Sequence, residues 1–182
     1  MSMSMPRHSL LLVAVVLAAA CGGSEAPPAA PAKSAATSPA AAPVAGGRTI
    51  SDSAKAAMKE ALGVEQTKKR AWLYSQPGNP EVAALVTSIQ DVFRDSGWEV
   101  TGETASGISL KPGVMTLIAE EQYPPYVEAV VKALEASGLD AKSASGYRAY
   151  YAEKRKENPN WPGIPLKDDQ DFVIVIGPKP AG

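Results

Sequence analysis

The feature that most narrows what this chain can fold into is a pattern that occurs twice. In its first copy, Ala71-Trp72-Leu73-Tyr74-Ser75 is apolar on both faces and reads as a strand. Gln76-Pro77-Gly78-Asn79 is a turn, with Asn79 as cap and Pro80 at the first helical position. The helix over 80–96 carries Val82, Leu85, Val86, Ile89, Val92 and Phe93 at helical spacing, and Gly97 ends it. In the second copy, Val114 to Ala119 is again apolar on both faces, and Pro124-Pro125 open a helix. That helix turns Tyr126, Val127, Val130, Val131 and Leu134 inward and ends at Ser137-Gly138. The two stripes coincide 41 residues apart, Ile89 with Val130 and Phe93 with Leu134.

Trp98 to Thr104 alternates apolar with polar and reads as a half-exposed edge strand. Phe172-Val173-Ile174-Val175-Ile176 is a strong strand stopped by Gly177-Pro178. Two strand–helix–strand units joined by a hairpin predict an α+β fold, a two-layer βαββαβ sandwich of ferredoxin-like arrangement. It would carry an extra N-terminal helix over 51–62 and an insertion before the last strand. The alternative is a small doubly wound α/β sheet, mostly parallel, with helices on both faces. In the first arrangement the last strand lies at an edge, yet 172–176 is more apolar than an edge strand should be. The helix over 51–62 is expected to cover the other face. Ser51 caps it, Ala54, Ala57, Met58, Ala61 and Leu62 form its stripe, and Gly63 stops it.

Ahead of this domain lies an apolar run from Leu10 to Ala20, preceded by Arg7 and His8. As a helix it would span roughly 16 Å, too short to cross a bilayer and suited to the apolar core of a signal peptide. It ends in Ala18-Ala19-Ala20-Cys21-Gly22-Gly23, which resembles the lipobox of bacterial lipoproteins. The family prefers leucine three places before the cysteine; here that place is Ala18, and Leu17 is one further out. The resemblance implies removal of residues 1–20 and acylation of Cys21. It also implies attachment to the bacterial envelope, at the outer membrane facing the periplasm because Gly22 and not aspartate follows the cysteine. An ordinary secretory cut after Ala20 would instead leave a free thiol at Cys21 with no second cysteine to pair with.

Residues 22–47 hold ten alanines, five prolines and two charges, Glu25 and Lys33. Such a segment buries too little apolar surface to offset its ordering entropy and reads as a tether. One domain is then expected over 48–182. A second resemblance covers most of it. Arg48-Thr49-Ile50-Ser51, Ser96-Gly97-Trp98-Glu99-Val100 and Ile176-Gly177-Pro178-Lys179-Pro180 are similar to a soluble α/β domain of membrane-anchored bacterial proteins of unassigned function. That family implies no catalytic residues.

Composition excludes whole classes of chemistry. The single cysteine is taken by the anchor, and the single histidine, His8, leaves with the leader. The domain therefore has no disulfide, no Cys or His metal ligand and no histidine base, which removes Ser-His-Asp and Cys-His catalysis. Without Arg7 the chain carries 17 basic residues against 19 acidic ones, a balance that points to no nucleic-acid partner. No catalytic residue, metal or cofactor is expected.

Three regions remain as candidates. The loop Ser75, Gly78, Asn79, between a strand end and a helix start, is a candidate anion or ligand loop, although Glu81 competes for the same helix end. Glu120, Glu121, Asp168, Asp169 and Asp171 are carboxylates of the kind used for cations or acid–base work, or simply solvated flanks. The stretch 143–170 is the most unusual, because the repeat calls for only a short loop there. It holds Tyr147, Arg148, Tyr150, Tyr151 and Trp161, residue types that anchor interfaces, in a proline-rich setting that lowers their ordering cost. The same aromatics suit a lid packed onto the sheet, or a helix over 147–156. The expected function is a non-enzymatic envelope module that binds another envelope protein or a cell-wall component. The alternatives are a carboxylate- or Ser/Lys-dependent enzyme acting on envelope polymer and a small-ligand sensor.

Overall fold

The computed structural model describes residues 47–64 and 70–181. The expected leader, Cys21 and the Ala/Pro-rich segment up to residue 46 lie outside the described residues. The elements run α1 (Asp52–Gly63), β1 (Arg70–Ser75), α2 (Pro80–Asp95), β2 (Glu99–Thr104), β3 (Val114–Ile118), α3 (Pro125–Ala136), β4 (Lys142–Ala144), α4 (Tyr147–Glu157) and β5 (Phe172–Ile176). The fold is α+β: a mixed sheet of five strands in the order β2-β1-β5-β3-β4, with helices packed on it.

Both copies of the repeat are present as parallel units. β1 pairs in parallel with β2, and β3 pairs in parallel with β4. Each crossover helix ends in a glycine with positive φ, Gly97 at 79° and Gly138 at 74°, which only glycine adopts without strain. β4 is a three-residue strand at 142–144, where sequence periodicity is silent, and it occupies the place that β2 holds in the first copy.

The last strand lies at the centre, where a ferredoxin-like sheet would have it at an edge. β5 runs parallel to β1, with Leu73 opposite Ile174, and antiparallel to β3, with Thr116 opposite Ile174. This accounts for its apolar run, since a strand with neighbours on both sides and cover on both faces buries every residue.

One face of the sheet carries Ala71, Leu73, Val114, Ile118, Phe172, Ile174 and Ile176. The stripes of α1, α2 and α3 close over them in one core that includes Met58, Leu85, Phe93, Val130 and Leu134. Each of these fully buried side chains contributes about 1.5–3 kcal/mol relative to exposure. Helix α1 thus joins the same layer, packing chiefly on α3, and does not cover the opposite face as its sequence led one to expect. The opposite face carries Trp72, Tyr74, Leu117, Val173 and Val175, covered by α4, by Ile164 and by Ala105–Leu110.

A buried ion pair closes the first layer. Arg48 Nε lies 2.7 Å from Glu81 Oε1, and Arg48 Nη2 donates to Glu81 Oε2 at 3.0 Å and to the Gly177 carbonyl at 2.6 Å. Gly177 in turn meets the loop before β3: its N–H donates to Gly113 O at 2.9 Å, and a Cβ there would stand 1.9 Å from Lys111 O. Arg48 and Ile176-Gly177-Pro178, far apart in sequence, therefore belong to one clasp.

Candidate functional site

The segment 143–170 is the crossover that carries the chain from edge strand β4 to the centre of the sheet. Its length follows from that path. Gly146, with φ 69°, turns the chain into α4, and Tyr147 drops onto the sheet. Tyr147 is 8% exposed, and its hydroxyl accepts the Ile164 N–H at 3.0 Å. Burial pushes the Tyr147 phenol above its ordinary pKa. Lys154, Arg155 and Lys156 stand in the last turn of α4, where cations complement the helix dipole.

Arg148 ties the segment's two ends together. Its Nε bonds Glu120 Oε1 at 3.0 Å, its Nη2 bonds the Gln170 carbonyl at 3.2 Å, and Asp168 lies 3.7 Å from Nη1. Its backbone N–H donates to Ala119 O at 3.0 Å. These bonds fasten the start of α4 to the end of β3 and to the approach to β5.

Tyr150, Tyr151 and Trp161 form the outer part of the cover. The rings of Tyr150 and Tyr151 each meet Trp161 edge-on at 5.6 Å between centroids. Trp161 folds back on its own strap, where a Cβ on Gly163 would meet its ring at 1.8 Å. Tyr151 and Trp161 are half-buried, whereas Tyr150 is 47% exposed, with the Lys154 ammonium 5.8 Å from its ring centre. Of the five candidate partner-binding residues, then, Tyr147 and Arg148 are engaged in the fold. Tyr150, Tyr151 and Trp161 reach the surface as one aromatic cluster.

The strap is held at its far end by a second polar chain. Lys167 Nζ lies 2.6 Å from Glu103 Oε1 on β2. The Lys167 bond, then the bond from Tyr74, holds the Glu103 carboxyl below the usual carboxylate range. Burial and Glu103 together raise the Tyr74 phenol.

Beneath the aromatic cluster, between the strap at 161–164, the loop at 108–113 and the β3–β4 end of the sheet, lies a cavity of about 680 Å³. Sequence reasoning missed it, because it is formed by segments that meet only once β5 inserts beside β3.

The Ser75–Asn79 loop is arranged as a helix cap. Asn79 Oδ1 accepts from Glu81 N at 3.0 Å and Val82 N at 3.3 Å, and Gly78 makes the turn at φ 76°. The helix end thus already has an acceptor in Asn79 and a negative charge in Glu81. Ser75 is engaged through its carbonyl, which accepts from Ala105 N at 3.0 Å. The carboxylates are likewise spread among partners: Glu120 and Asp168 on Arg148, Asp169 near Arg70 at 3.7 Å, and Asp171 bonded to the Tyr126 hydroxyl. Burial and that carboxylate hold the Tyr126 proton far above its ordinary range. Among the described residues no three His, Cys, Asp or Glu side chains come together as a metal site.

No family model, curated protein or solved structure matches this chain.

Proposed function

We propose that this chain is an envelope lipoprotein, anchored through acylated Cys21, whose domain binds another envelope protein or a cell-wall component without catalysing a reaction. The observation that supports the reading is the surface cluster Tyr150–Tyr151–Trp161. An exposed tyrosine edged by a half-buried tryptophan, on a strap stiffened by Pro159, Pro162 and Pro165, matches the composition and rigidity of interface anchors. The lipobox-like Ala18-Ala19-Ala20-Cys21 and the proline-rich stretch after it supply the membrane half of the reading.

Placing a photo-crosslinking amino acid at position 150, in the anchored protein within its own envelope, tests the binding half. A discrete crosslinked species is expected from position 150 and none from Glu60 on the outer side of α1. Equal labelling from both positions, or none from either, would overturn the reading. Cys21→Ala tests the anchor and should shift the protein out of the membrane fraction or leave an uncleaved precursor. Unchanged fractionation, with no lipid on the wild-type N-terminal peptide, refutes acylation.

A further inference from the structure

The 680 Å³ cavity under the aromatic cluster is a separate feature from the surface above it. Its size falls within the range of small-molecule sites, about 300–1,000 Å³. Its walls are chiefly aliphatic: Ile108 and Leu110 from the loop, Met115 and Leu117 from β3, Val175 from β5 and Ile164 from the strap. A sugar would need a row of donors and acceptors along such a wall, and a nucleobase would need flanking aromatic faces. The aliphatic wall offers neither: the rings of the lining, Tyr147, Tyr150 and Trp161, all come from α4 and the strap with none facing them from the sheet, and its polar side chains other than Tyr147 are exposed. A flexible hydrocarbon chain needs only apolar contact, and methionine among branched aliphatics adapts to one well.

The cavity's polar groups sit at its mouth. Lys142 and Ala144 are register partners of Met115 and Leu117, so they fall on the cavity face of the sheet, at its edge. Lys142 is exposed, as is Lys111 on the loop opposite, and neither joins a salt bridge among the described residues. Asp140, also at the mouth, offsets one of the two charges. A lysine lays its methylene stem along apolar surface and keeps its ammonium in water. An aliphatic trough with two lysines and one aspartate at its lip, a net positive charge, is complementary to one class of molecule.

We propose that this cavity binds a single acyl chain bearing an anionic head, the chain lying against Met115, Leu117 and Val175 and the head between Lys111 and Lys142. A fatty acid carboxylate and a lysophospholipid phosphate share that chemistry. The site goes beyond the partner-binding reading and does not depend on it, because it requires neither Cys21 nor a second protein.

The test is titration of the purified full chain, below micellar concentrations, with laurate, myristate, palmitate, lysophosphatidylglycerol and the uncharged hexadecanol. One-to-one binding is expected, strengthening about four-fold per added methylene until the cavity is filled. Palmitate should bind at least ten-fold more tightly than hexadecanol. Lys111→Glu with Lys142→Glu should remove that preference and leave hexadecanol binding unchanged. Ala144→Trp, at an exposed position of the edge strand, should fill the cavity and abolish binding of all four anions with an unchanged melting temperature. If Ala144→Trp fails to fold, the charge-reversal pair still decides. Tighter lysophosphatidylglycerol binding assigns membrane lipid as the source, and tighter palmitate binding assigns free fatty acid. No saturable binding, no chain-length dependence, or equal affinity for palmitate and hexadecanol overturns the proposal. So does saturation by an extended apolar peptide with no response to any acyl anion.

Discussion

Replacing Glu81 by alanine should be among the most damaging single changes to this domain. The Glu81 carboxylate accepts three bonds from one residue: Arg48 Nε at 2.7 Å, Nη2 at 3.0 Å and the Arg48 backbone N–H at 3.2 Å. The side chains are only 9% and 11% exposed, and Arg48 Nη1 is buried with no hydrogen-bond partner among the described residues. Removing the carboxylate leaves a guanidinium in low dielectric with the Gly177 carbonyl as its remaining side-chain acceptor. Breaking a buried pair from one side costs about 3–5 kcal/mol, which for a domain of this size lowers the melting temperature by roughly 10–20 °C. Arg48→Ala should cost less, about 2–3 kcal/mol, because the stranded carboxylate still faces the positive end of α2. The double variant should then be at least about 2 kcal/mol more stable than the sum of the two losses implies. The pair also predicts a pH dependence. The bonds from Arg48 depress the folded-state pKa of Glu81 below its ordinary 4.5. Its contribution is therefore complete above that value and is lost as pH falls through the depressed one. Thermal denaturation of wild type and Glu81→Gln should differ widely at pH 7 and converge in acid. A Glu81→Ala variant within about 1 kcal/mol of wild type at pH 7, or strictly additive losses, would refute this account.

Trp161→Ala should destabilise by roughly 2–3 kcal/mol, less than the 3–5 typical of a fully buried aromatic, since the ring is half-buried; equilibrium unfolding in denaturant measures this, and no loss would mean that the ring is not packed on the strap. Gly177→Ala should cost about 2–3 kcal/mol or more, because its Cβ would meet a backbone oxygen at 1.9 Å; an unchanged melting temperature would mean that the 111–113 and 177–178 backbones separate freely. Limited proteolysis should cut within 22–47 and leave a stable core beginning near Arg48, as N-terminal sequencing of the product would show. Unfolding after that cut would place the domain boundary further upstream.

The helices and the long strands were legible because each carries its own period. Val82 to Phe93 and Tyr126 to Leu134 could form only amphipathic helices, and the proline starts and Ser-Gly ends marked their limits. The sheet order was not legible, because it rests on β4. Lys142-Ser143-Ala144 is three exposed residues with no alternation to read, and it becomes a strand only because β3 offers an open edge. Without β4 the second repeat borrowed Phe172–Ile176 as its closing strand. The crossover from 143 to 170 then looked like surplus length that called for a separate purpose. One trace of the true order was present: a run of five apolar residues cannot serve as a solvent-facing edge, and its conflict with an edge position pointed to the centre of the sheet.

The same displacement accounts for the candidate sites. Once β5 stands between β1 and β3, the crossover must leave edge strand β4, pass over β3 and return, and α4 with its strap is that path. Its aromatics then serve two ends at different depths. Tyr147 and Arg148, near its start, are consumed in fixing the path, through Ile164 N and through Glu120 and Gln170 O. Tyr150 and Trp161, further out, span the gap that the strap leaves over β3 and β4. Because β4 contributes only lysine, serine and alanine to that edge, nothing bulky fills the gap from the side, and the cavity persists. A long aromatic crossover over a short edge strand thus yields a covered face and a hollow beneath it from the same topology. The hollow can be tested without knowing any partner, since Ala144→Trp alters it while leaving Tyr150 and Trp161 in place.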